Sequence, residues 1–108
     1  MITEAEIEKA IEWLSSNGRN AAKCRAEREY MDEYRGVIKA QIMRLNTNES
    51  LGAQEAIAKS DHKYVEHLKL WQECVEKDEY YRWMKATAEI KIEAWRTQSS
   101  NERALSKI

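Results

Sequence analysis

Apolar residues recur along this chain at intervals of three and four, the spacing that lays a stripe along one face of a helix. Ile7, Ala10, Ile11 and Leu14 make the first run. Thr3 stands ahead of it as an N-cap, with Glu6 three residues on closing a capping box. Ser15-Ser16-Asn17-Gly18 predicts the end of this helix, with Asn17 or Gly18 taking the left-handed position after it. A second stripe, Cys24, Met31, Tyr34, Ile38, Ile42 and Leu45, predicts a helix over about 19–45, with Gly36 marking a close helix crossing. Asn46 to Gly52 is the clearest break, and a short helical turn follows at about 53–59. Ser60 or Asp61 then caps a third helix over about 61–98. Its stripe is Tyr64, Leu68, Trp71, Cys74/Val75, Tyr81, Met84, Ala88, Ile92 and Trp95. The charged run Glu76-Lys77-Asp78-Glu79 interrupts that stripe and predicts a bend or a change of packing partner.

Two long helices joined by a short connection pack antiparallel. The expected fold is therefore all-α: an elongated, coiled-coil-like helical hairpin. A short N-terminal helix over about 3–14 would cover the far end of the hairpin, where the last part of the third helix lies. Residues 1–108 are read as a single domain. Such a shape has much surface per residue, so one chain buries its apolar groups poorly. Trp13, Tyr80, Trp83 and Ile90 lie off the main stripes. With Trp95 they are candidate contacts for a partner or a second copy, and a homodimer is expected.

Composition narrows the class. The 108 residues contain no proline and three glycines, which disfavours a turn-rich all-β fold. No apolar run is long enough to span a membrane, and the first residues lack the pattern of a signal peptide, so the expected setting is the cytoplasm. Cys24 and Cys74 are read as small buried hydrophobes, with a disulfide or a reactive thiol as alternatives.

Net charge is −1, but it is unevenly spread: residues 19–45 carry +3 and residues 83–108 carry +2. Arg25, Arg28, Arg35, Lys39, Lys91 and Arg96 are thus candidate phosphate contacts, and Trp83 and Trp95 could stack on bases. The opposing reading is a solvated face, because acids interleave the bases at short helical spacings. His62 and His67 are five residues apart, about 140° out of phase on a helix, which is not a zinc-helix spacing. Glu73, Glu76, Asp78 and Glu79 read as a solvated charged run. No nucleotide-binding loop or nucleophile elbow is present in the sequence. The expectation is a protein that is not an enzyme and has no cofactor or metal.

Four segments carry a resemblance: Asn20 to Arg35 (NAAKCRAEREYMDEYR), Val37 to Arg44 (VIKAQIMR), Gly52-Ala53-Gln54-Glu55-Ala56, and Ile90 to Gln98 (IKIEAWRTQ). In that order they resemble a group of small helical proteins of tailed bacteriophages and prophages. Those proteins are encoded in the early region near recombination and single-strand-binding genes. The resemblance covers about residues 18–104. It implies a setting, phage DNA metabolism inside a bacterium, and no catalytic residue.

The first expectation for function is a non-enzymatic protein acting by protein–protein interaction on a phage or host DNA-metabolism protein, as accessory factor or inhibitor. A direct DNA-binding helical module is the alternative, and a virion assembly or scaffold protein is a further one.

Overall fold

The computed structural model describes residues 1–107, and these are all-α. Helix α1 spans Glu4–Arg44, α2 spans Leu51–Ser60 and α3 spans His62–Ser106. Thr3 caps α1 as expected, its Oγ1 accepting from the Glu6 amide at 3.2 Å. Asp61 does two jobs at the α2–α3 corner. Its own amide donates to the Ala58 carbonyl and closes α2, and its Oδ1 accepts from the Lys63 amide at 2.8 Å to open α3. Ser50 caps α2 through its Oγ, which accepts from the Ala53 amide.

Three expectations of the sequence are corrected. The first helix does not end at Ser15-Ser16-Asn17-Gly18: α1 runs through it unbroken, and no glycine has a positive φ. The polar side chains there turn back on their own helix rather than breaking it. Ser15 Oγ donates to the Glu12 carbonyl and Asn17 Nδ2 to the Trp13 carbonyl at 2.9 Å. Side chains of this type can satisfy themselves on the preceding turn, so their presence permits a break without imposing one. Residues 3–14 still meet the last part of α3, but as the first turns of a long helix. Helix α3 likewise continues past Trp95 to Ser106, with Thr97 Oγ1 donating to the Glu93 carbonyl. Gly36 marks no close crossing, because a Cβ placed on it would meet nothing within 4 Å.

The described residues divide into two compact units. One is Lys23–Asp78, the other Met1–Ala22 with Glu79–Ile108. The boundary on α3 falls within the charged run 76–79, where the sequence predicted a change of packing partner. In the first unit, the second half of α1, α2 and the first part of α3 form a helical hairpin. Its core is Ile42, Ala58 and Tyr64, with Ile38, Met43 and Leu68 packed against it. Ala58 is wholly buried, and its small side chain lets α2 lie close in the elbow. Lys39 Nζ reaches Glu55 at 3.7 Å and ties α1 to α2.

In the other unit the first turns of α1 run antiparallel to the last part of α3. Ile7 and Ala10 are buried on one side and Ala88 on the other. Trp13 packs on Tyr81 with ring centroids 6.3 Å apart. The Gln98 side-chain amide holds the chain start by both backbone groups of Ile2, accepting from its N–H at 3.3 Å and donating to its carbonyl at 3.2 Å. No helix of the described residues is long and apolar enough to cross a membrane.

Candidate functional site

The side chains of the Lys23–Asp78 unit divide into a polar seam between the helices and an apolar groove on the surface. The seam begins with Asp78, only 2% exposed and the largest fully buried side chain described. Arg28 donates to it across the helix pair at 2.9 Å. A carboxylate buried to this degree is tolerable only with a charged, hydrogen-bonded partner. One reading of the sequence is corrected here: Asp78 is not part of a solvated run but is buried against Arg28, a candidate phosphate contact that here pairs with a carboxylate.

Further along, His67 is buried and its Nε2 donates to the Met31 carbonyl at 2.6 Å. That carbonyl can only accept, so the proton is on Nε2. His67 also packs on Tyr34 with the two rings tilted by 49°, and Tyr34 stacks on Tyr30 with centroids 5.6 Å apart. Arg35 lies over the Trp71 ring at 4.9 Å, a cation–π contact. The Trp71 Nε1–H is buried with no protein acceptor among the described residues.

Tyr30 is the outer end of this ladder and is 63% exposed. It borders a groove of about 450 Å³ lined by Lys23, Ala26, Glu27, Tyr30, Met31 and Cys74. Nearly all the lining surface is apolar, with Lys23 and Glu27 at the rim. Burial pushes the Cys74 thiol above its ordinary 9.0, with the nearby Glu27 charge adding to the effect. Both cysteines are free and half-buried. At neutral pH the groove therefore offers a protonated thiol, which serves as an apolar wall rather than a nucleophile.

Tyr30 was missed as a candidate. It sits off the apolar stripe of α1 beside Met31, the same criterion that singled out Trp83 on α3. Of the five aromatic and aliphatic candidates, Tyr80, Trp83 and Ile90 do face outward, with Trp83 76% exposed. Trp13 and Trp95 are half-buried instead, Trp13 being held against Tyr81. All five lie in the unit that joins the start of α1 to the end of α3.

The candidate phosphate contacts are largely engaged by carboxylates. Arg25 pairs with Glu29, Arg28 with Asp78, Arg35 with Asp32, Lys39 with Glu55 and Arg96 with Glu93. The Glu29 hydrogen bond and charge push Arg25 further up from its already high value, with Asp78 contributing. Apart from the buried Arg28–Asp78 pair, these pairs are exposed, individually weak, and would open to a phosphate. They do remove the uniform positive face that nucleic-acid recognition needs. Lys91 has no carboxylate pair among the described residues; it borders a groove of about 370 Å³ with Glu6 and Lys9. His62 is exposed at the first position of α3, and no group of three or more His, Cys, Asp or Glu converges among the described residues. No family model, curated protein or solved structure matches this chain.

Proposed function

We propose that this protein acts without catalysis, as a helical interaction module that docks an apolar side chain of a partner protein in the Tyr30 groove. The observation that carries the reading is the groove itself: an apolar recess with an exposed tyrosine and a charged rim. Such recesses on helical surfaces take anchors from partner helices. The Tyr30–Tyr34–His67 ladder fixes Tyr30 in place before a partner arrives, which lowers the ordering cost of binding. The phage resemblance supplies the setting: the cytoplasm of a bacterium and a partner from DNA recombination, replication or repair. The protein is an accessory factor for that partner or an inhibitor of it.

A nuclease-treated pull-down from bacterial lysate, read by mass spectrometry, tests this directly. The tagged protein should capture one helicase, nuclease, recombinase or single-strand-binding protein, and Tyr30→Lys should lose it while keeping the wild-type helical spectrum. If DNA co-purifies without nuclease and no protein is held with it, the module binds DNA directly and the groove reading fails.

A further inference from the structure

The outward face of α3 in the Met1–Ala22/Glu79–Ile108 unit carries an apolar stripe that no other part of that unit covers. Tyr80 is 57% exposed, Trp83 76% and Ile90 68%. Ala86, Ala94 and Thr97 are exposed too, and at 100° per residue they fall on the same side of the helix. Trp83, Ile90 and Thr97 recur at seven-residue steps, the repeat of a helix packed along another helix. The residues of the core, Tyr81, Met84, Ala88 and Ile92, lie on the opposite side.

Charge flanks this stripe in a repeated form. Glu79-x-x-Arg82 and Glu93-x-x-Arg96 are the same motif, fourteen residues apart. Each is a pair on the helix surface, at 3.5 Å for Arg82 with Glu79 and 3.2 Å for Arg96 with Glu93. Fourteen residues is two heptads, so both motifs lie along the same flank of the stripe.

We propose that this face binds a second copy of the chain, α3 against α3 and antiparallel. A two-fold axis passing between Thr87 and Ala88 places Arg82 opposite the second copy's Glu93, and Glu79 opposite its Arg96. The symmetry repeats both pairings. The same register sets Trp83 between the second copy's Ile90 and Ala94, with the small Ala86 and Thr87 at the crossing point. In a parallel arrangement the two-fold axis would run along the helices and carry this flank to opposite sides of the two copies, so the two motifs would not meet and neither pairing would form. The three large side chains expose roughly 400 Å². A stable dimer needs about 800 Å² from each partner. Ala86, Ala94, Thr97 and the aliphatic stems of the flanking Glu and Arg supply the remainder. This surface is separate from the Tyr30 groove, and the two proposals stand or fall independently.

Sedimentation equilibrium of the full chain, from about 1 to about 100 µM, is the test. The wild type should reach twice the 12.7 kDa chain mass. Arg82→Glu and Glu93→Arg each place like charges in register and should each weaken the dimer by about tenfold or more. Mixing the two variants in equal amounts should restore the dimer mass, because each then meets its complement. Trp83→Arg should be monomeric with an unchanged helical spectrum. The proposal is overturned by a 12.7 kDa species throughout, by a mass above the dimer, by a dimer that these substitutions leave unaltered, or by a mixture that fails to recover.

Discussion

At the scale of single residues, the most consequential side chain is Asp78. Its 2% exposure makes the Arg28 pair a structural requirement. Arg28→Met would leave a carboxylate buried without its cation and should cost about 3–5 kcal/mol in urea unfolding. Adding Asp78→Leu should recover much of that loss, since a well-packed apolar replacement of a buried pair is often near neutral. A double variant no more stable than Arg28→Met alone would count against this account. The same pair makes Arg28 a poor site for a charge-reversal probe of DNA binding, because a carboxylate set against the buried Asp78 should destabilise the fold itself. Lys91 is the better site for that probe. Cys74 carries a pH dependence. Burial raises its folded-state value above the ordinary 9.0. Its stabilising contribution is therefore fully present below the unfolded value and is lost as pH rises through the folded one. Cys74→Ala should flatten the fall in urea midpoint above that 9.0, even if the small cavity lowers stability at every pH.

At the scale of elements, α1 and α3 are long because nothing in them forces a stop. Gly18 and Gly36 lie inside α1 with helical backbone and open space where a Cβ would go. Alanine at either position should raise stability by about 0.5–1 kcal/mol, visible as a higher thermal midpoint. A loss at Gly18 would mean that the 300 Å³ groove beside it, lined also by Trp13 and Lys85, needs the missing side chain. The Ser-Ser-Asn-Gly stretch was misread as a helix end for a physical reason. Its side chains suit caps and turns in an isolated peptide. Here flanking turns on both sides supply packing that outweighs about 1 kcal/mol of glycine cost. The true breaks are where a cap has no such competition, at Ser50 and Asp61.

At the scale of the whole molecule, large apolar side chains face outward while the buried positions are few and mostly small. Buried apolar residues are Ile7, Ala10, Ile42, Ala58, Tyr64 and Ala88, whereas Tyr30, Trp83 and Ile90 face outward. A chain with that distribution gains stability by covering its surface. The thermal midpoint should therefore rise with protein concentration, and Trp83→Arg should abolish the rise. A midpoint independent of concentration in the wild type would show that the chain is stable alone.

The helical class, the Thr3 cap, a cap at Ser60 or Asp61, a break that starts near Asn46 and the antiparallel pairing were legible from spacing and cap chemistry, because these depend on neighbours in sequence; the structure chose Asp61 and resumed the helix already at Leu51. So was the outward placement of Tyr80, Trp83 and Ile90, which follows from helical phase. Only the tertiary structure decided that α1 is continuous, that Asp78 is buried against Arg28, and that Tyr30 borders a groove with Cys74. Each of these depends on which residue lies across from another on a second helix. Spacing along one helix fixes a side chain's direction, but the register between helices is set by packing partners about 50 positions apart in the chain, as Arg28 and Asp78 are.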